Sequence, residues 1–273
     1  MSKFKFYTSF LLFIIILSCG TNPFTGKSTL ALVPNSQILP MSFEQYNKVL
    51  EEKEVVKEGE EAQMIQRVGF KIANAAERWL NENGYSNYTD DYRWEFSLIK
   101  DDQKNAWAMP GGKVAFYTGI LPVAKNEAGV AAIMGHEVAH ALANHGQQRM
   151  SAGQIQQAAG AVGMLALGDD QESQQLFAMA YGIGSQVGVM LPFSRKHETE
   201  ADRIGIKLMA IAGYNPEEAS RLWRRMQESS GGAGPPTFLS THPSNEERIQ
   251  NLEKWSDDAK KVAREYGVTS FKN

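Results

Sequence analysis

From Ser42 to Asn83 apolar positions recur every three or four residues, with Val55, Val56, Ile65, Val68, Phe70, Ile72, Ala76 and Leu80 set among acidic and basic side chains. This spacing predicts helix, and Gly59 divides it into two. Two shorter runs, Trp94 to Ile99 and Lys113 to Thr118, read as strands, and the Pro110-Gly111-Gly112 turn between them predicts an antiparallel hairpin with an exposed edge. A single helix is expected from Asn126 to Met150. Residues 151–192, rich in Ala, Gly, Gln and Met, are expected to form close-packed helices buried through small residues, with Gly168-Asp169-Asp170 as their turn. A further helix covers Ser194 to Ala212. Another opens at Asn215-Pro216-Glu217-Glu218, where a cap, an early proline and two acids suit a positive helix end. Residues 231–236 form a Gly/Pro loop, and Ser244-Asn245-Glu246-Glu247 is a capping box that starts the last helix. The pattern is that of one α+β domain over residues 41–273, mostly helical with a small antiparallel sheet.

The N-terminus has a different pattern. Lys3 and Lys5 precede Phe6 to Leu17, an apolar run of 12 residues. About 20 residues are needed to span a bilayer, so residues 1–18 read as a secretory signal. Ile16-Leu17-Ser18-Cys19 resembles a bacterial lipobox, which makes Cys19 the expected lipidation site and membrane anchor. Residues 19–40 hold turn formers with little periodicity and are expected to be a tether. With Gly20 rather than Asp after the cysteine, the expected location is the bacterial cell envelope, at the periplasmic face of the outer membrane.

Composition narrows the chemistry. A net charge of −3 supplies no general attraction for nucleic acid, and a lone cysteine rules out both an intramolecular disulfide and a cysteine-rich zinc site. None of the five histidines precedes residue 136.

The central motif is His136-Glu137-Val138-Ala139-His140. On a helix, positions i and i+4 lie about 40° apart, so both imidazoles can reach one zinc ion while Glu137 reaches its water from the side. The surrounding apolar run Val130-Ala131-Ala132-Ile133-Met134 makes this helix buried, and buried His and Glu need partners. Catalytic zinc usually takes three protein ligands. The metzincin solution fails, because Ala143 and Gly146 stand where a glycine and a third histidine are required. His145 lies about 140° around the helix from His140 and is read as structural. The remaining solution is a carboxylate on a second helix. Glu198 and Asp202 share a face, Glu198 as zinc ligand and Asp202 as acceptor for a ring N–H that fixes a tautomer. Glu200 is the second choice for the ligand, and His197 is read as a surface neighbour.

These motifs, with Asn22-Pro23-Phe24-Thr25-Gly26, Asn105-Ala106-Trp107, Pro192-Phe193-Ser194-Arg195, Thr241-His242-Pro243 and Arg248, resemble the HtpX and CAAX-protease-like gluzincin metallopeptidases. Within that family the likeness is greatest to periplasmic lipoprotein members of the BepA and LoiP kind. The resemblance implies one zinc ion per chain on His136, His140 and Glu198, with Glu137 as general base, and His242 and Arg248 stabilising the oxyanion. It implies a zinc metalloendopeptidase; with the Cys19 anchor, and with the Lys113 to Thr118 strand edge free to hold an extended chain of any sequence, the expected activity is membrane-anchored hydrolysis of internal bonds in unfolded or misassembled envelope proteins. His242, following the glycine-rich loop, is a candidate gate over the metal. The rival reading is a non-catalytic assembly factor that keeps zinc for stability, against which the intact Glu137 argues.

Overall fold

The computed structural model describes residues 19–168, 170–186, 190–229 and 237–273. The expected signal segment 1–18, Asp169 of the expected turn and the glycine-rich loop 231–236 lie outside them. The chain divides into two compact units, Met1–Ile38 with Asn144–His197, and Leu39–Ala143 with Glu198–Asn273.

In the first unit, strands β1 (Cys19–Thr21) and β2 (Ser28–Leu30) pair antiparallel. Their turn is closed by Asn22 N–H on the Lys27 carbonyl at 2.9 Å, with Gly26 at φ 67°. Residues expected to be a tether are therefore partly folded, because the Asn22–Gly26 turn formers close a hairpin. The Leu32 N–H donates to Ser151 Oγ at 3.1 Å, and the Gln147 amide reaches the Val33 carbonyl. Helices α5 (His145–Ala166) and α6 (Gln171–Ser185) follow. They pack where a Cβ on Gly163 would lie 2.2 Å from the Phe177 ring. The expected burial of this segment fails on the other faces. Val162, Leu165, Leu176 and Met179 are 67%, 81%, 69% and 66% exposed, since the glycines bring the two helices together without covering the larger side chains.

The second unit is built on a four-stranded sheet in the order β3 (Val55–Val56), β4 (Glu95–Ile99), β6 (Lys113–Tyr117), β5 (Ala106–Met109). The strands expected to form one antiparallel hairpin, β4 and β6, instead pair parallel, Glu95 opposite Lys113 and Ile99 opposite Tyr117. The Pro-Gly-Gly turn joins β5 to β6, its two glycines at φ 83° and 85°, where a side chain would be strained. As a result β6 is interior and β5, like β3 at the other end, is an edge.

Helices α1 (Asn35–Glu52) and α2 (Glu60–Glu82) realise the first helical stretch only in part: Val55 and Val56, expected in helix, form β3 between them, two β-branched residues paired with Ile99 and Leu98, and Gly59, with φ 96°, caps α2. A short helix, α3 (Leu121–Ala124), precedes α4 (Glu127–Leu142). The helix expected from Asn126 to Met150 ends early: Asn144 adopts left-handed φ 55°, and α5 begins at His145. Helices α7 (Leu191–Ile211), α8 (Glu217–Glu228), α9 (Thr237–Thr241) and α10 (Glu246–Glu265) complete the order. The cap of α10 is Asn245, whose side chain accepts from the Arg248 N–H at 2.8 Å, one residue beyond the serine expected. No described helix is long and apolar enough to cross a membrane.

Candidate active site

Helix α4 is buried from Ala128 through Leu142, apolar on every face apart from the motif residues, and packs against α2, α8 and β5. Asn126 caps its start, accepting from the Gly129 N–H at 2.8 Å. Two tyrosines satisfy carbonyls at its end, Tyr92 on Ala141 at 3.1 Å and Tyr88 on Leu142 at 2.7 Å. The helix therefore presents His136, Glu137 and His140 on a fixed rod. Helix α7 approaches it at a pair of glycines: a Cβ on Gly135 would stand 2.7 Å from the Gly205 carbonyl oxygen, and one on Gly205 equally close to the Gly135 carbonyl carbon. That approach brings Glu198 and Asp202 to the histidines.

His136, His140, Glu198 and His242 each offer a ligand atom, all within 4.8 Å of one another. The His136 Nε2 lies 3.1 Å from His140 Nε2 and 3.1 Å from His242 Nδ1. Glu198 places one oxygen 3.3 Å from His136 Nε2 and the other 3.3 Å from His140 Nε2. Donors about 2.0–2.1 Å from a tetrahedral zinc ion are separated by roughly 3.3–3.4 Å, so this donor set fits zinc in both chemistry and spacing. His136, His140 and Glu198 are 3%, 5% and 7% exposed, which favours a bound ion over a solvated acidic face.

Around this cluster, Asp202 Oδ1 accepts from His136 Nδ1 at 2.9 Å, which leaves Nε2 as the lone-pair atom. The Arg248 guanidinium grips the same carboxylate with Nε at 2.6 Å and Nη2 at 2.8 Å, while its Nη1 donates to the Pro243 carbonyl at 3.0 Å and lies 3.3 Å from Glu198. Expected as an oxyanion donor, Arg248 has its nitrogens engaged with Asp202, Glu198 and Pro243. His242 Nε2 lies 3.4 Å from Glu137 Oε1, and Glu137 is 2% exposed.

Burial alone would raise the Asp202 carboxyl, but the Arg248 charge and the His136 hydrogen bond outweigh it and hold it below the usual range. For His136 burial opposes the charge, yet Asp202 and Glu198 carry its pKa up to about 9. His140 goes the other way, pushed well below its ordinary value by burial and by the charge on His136, which outweigh the opposing contact with Glu198. Burial would raise Glu198 too, but three imidazole contacts hold it far down.

Glu200, the second choice, is outside the ligand cluster. His145 and His197 also stand outside it, stacked on each other at 4.1 Å and only 0% and 4% exposed. The reading of His197 as a surface neighbour is corrected, since Phe193 packs on its ring at 4.1 Å. Two site residues escaped the sequence reading. Trp223 and Phe238 form an aromatic layer against His136 and His242. Phe238 stands four residues before His242, which is the one local signal for either of them.

The model of "Peptidase family M48" matches residues 65–256, about 70% of the chain. The chain is 41% identical over 178 residues to the mitochondrial metalloendopeptidase OMA1 of Schizosaccharomyces pombe, covering 64% of this chain and 50% of that protein. To the OMA1 of Saccharomyces cerevisiae it is 32% identical over 219 residues, 77% of this chain and 60% of the relative. The Escherichia coli β-barrel assembly-enhancing protease is 29% identical over 160 residues, 57% of this chain and 33% of the relative. The chain spans half to three fifths of the length of the two yeast relatives. Relatives from both yeasts, Arabidopsis thaliana and Bos taurus are named as mitochondrial enzymes, which overturns the expected location in a bacterial envelope. That location was inferred from Ile16-Leu17-Ser18-Cys19 and the glycine after it alone. What the resemblance established survives in coarser form: with the histidine–glutamate cluster inside the matched region, the chain belongs to peptidase family M48.

Proposed function

We propose that the protein is a zinc metalloendopeptidase that hydrolyses internal peptide bonds of unfolded or misassembled proteins. The observation that carries this reading is the convergence of three imidazoles and one carboxylate within 4.8 Å. In it His136, His140 and Glu198 hold the ion. When bound, zinc supplies Lewis acidity toward water and toward the scissile carbonyl. Glu137 takes a proton from the attacking water as the oxygen–carbon bond forms and delivers it to the leaving amine as the carbon–nitrogen bond breaks. General acid–base help of this kind is worth about 10² to 10⁴ in rate. Asp202 and Arg248 keep His136 in the tautomer that offers Nε2.

The substrate-binding element in this reading is the edge strand β5, which packs on α4, in place of the interior β6. Main-chain pairing at an edge tolerates many sequences, which suits unfolded chains. The name of the Escherichia coli relative, a β-barrel assembly-enhancing protease, fits such substrates. Peptides methylated on alternate backbone nitrogens should compete with casein less well than unmethylated ones; equal competition would remove the edge from the account. Membrane attachment through Cys19 belongs to the same proposal, and Cys19→Ser should release the protein from a membrane fraction.

The test of the chemistry is Glu137→Gln. Casein cleavage should vanish while zinc stays bound, and a chelator should abolish wild-type cleavage. Zinc binding without any cleavage by the wild type would favour the non-catalytic assembly factor.

A second reading concerns the resting state. His242 Nδ1 stands 3.0 Å from Glu198 and 3.1 Å from His136, in a position to complete the coordination itself. The ring then has to withdraw before substrate can enter, after which it is free to face the oxyanion. His242→Ala should speed the binding of a small hydroxamate. An unchanged or slower rate would count against a closed state.

A further inference from the structure

Buried on α8 and 3% exposed, the Trp223 indole lies under the Arg248 guanidinium, whose Cζ is 3.5 Å from the ring centroid. The same ring stands edge-on to His136, with centroids 5.9 Å apart at 76°. It also stacks on Phe238 at 5.5 Å, and Phe238 in turn lies 4.6 Å from the His242 ring. One residue from each of four helices forms a continuous strut: Trp223 on α8, Arg248 on α10, Asp202 on α7 and His136 on α4. An arginine has several rotatable bonds to fix, and burying it demands that every contact hold it. Tryptophan is the aromatic ring that attracts a cation most strongly.

We propose that Trp223 is a positioning residue of the metal centre, its indole face fixing the Arg248 guanidinium so that Asp202 holds His136 in its metal-ligating orientation. The inference rests on the zinc reading given above. A non-aromatic side chain of similar size fills the space but leaves the guanidinium free to turn. Asp202 then loses one of its two arginine hydrogen bonds, and the His136 ring gains freedom that the bound ion must remove.

The experiment measures zinc affinity by competition with a chelating dye on the full chain, for wild type, Trp223→Phe and Trp223→Met. The zinc-free thermal unfolding of each variant is followed alongside. Trp223→Met should weaken zinc binding about 10- to 100-fold, the range for residues that orient a ligand. Trp223→Phe, which keeps an aromatic face, should recover most of that loss. Equal affinity in all three proteins, or equal loss in both variants, would overturn the inference, the second result showing packing alone. Should Trp223→Met fail to fold, a double-mutant cycle of Trp223→Phe with Arg248→Lys decides. A double variant no weaker than the worse single variant supports the strut, and additive losses refute it. Wild-type protein that binds no zinc would sink the proposed function instead, so the two failures are distinct.

Discussion

The Glu127 carboxylate opens the helix that carries the catalytic motif, and it is held by three partners. It accepts from Tyr214 Oη at 2.7 Å and pairs with Lys272 and with Arg67. Burial alone would raise its pKa, but these contacts outweigh it and bring the group down to about 2. A carboxyl depressed in the folded state stabilises above its unfolded value of about 4.5, and that contribution disappears as pH falls toward 2. The shift from 4.5 to about 2 corresponds to at most about 3.4 kcal/mol, since each unit is worth about 1.36. Urea unfolding of Glu127→Gln should therefore show lower stability than wild type at pH 7 and a smaller gap at pH 3. Parallel losses in both proteins would deny the cluster this role. At this scale the convergence of the cluster was legible where it is local. His136 with His140, and Glu198 with Asp202, are i, i+4 pairs whose spacing carries the meaning. His242 entered only by resemblance and Trp223 not at all, because tertiary packing, not helical period, delivers them.

Among the elements, the contact of α4 with α7 is set by two missing side chains. The methyl of Gly205→Ala would press on the Gly135 backbone at 2.7 Å, and neither partner is a side chain able to turn away. Overpacking of this kind costs about 1–3 kcal/mol. The variant should unfold earlier than wild type and bind zinc more weakly, because the helices that share the ligands are forced apart. Unchanged zinc affinity in Gly205→Ala would show that the close approach serves packing only. Helix existence was read well from apolar periodicity, whereas strand pairing was not. A Pro-Gly-Gly turn reports that a hairpin closes, but not which earlier strand supplies the partner. Four-residue β5 has too little alternation to announce itself, so its place at the edge was credited to β6. The break at Asn144 was missed for a related reason: left-handed backbone at one asparagine interrupts the helix without disturbing its apolar pattern.

For the whole molecule, metal binding and stability should be linked. An ion that binds only the folded chain adds about 4 kcal/mol when its concentration is 1,000 times the dissociation constant. Chelation should accordingly lower the unfolding temperature of the wild type, and of Glu137→Gln to a similar degree, because that residue is outside the proposed ligand set. If chelation destabilised neither protein, the cluster would not be a metal site. The most direct test of the central claim is the zinc affinity of Glu198→Ala beside that of the wild type. The account expects one zinc per wild-type chain and an affinity at least about 100-fold weaker without the carboxylate. Full stoichiometry with unaltered affinity in Glu198→Ala would contradict it.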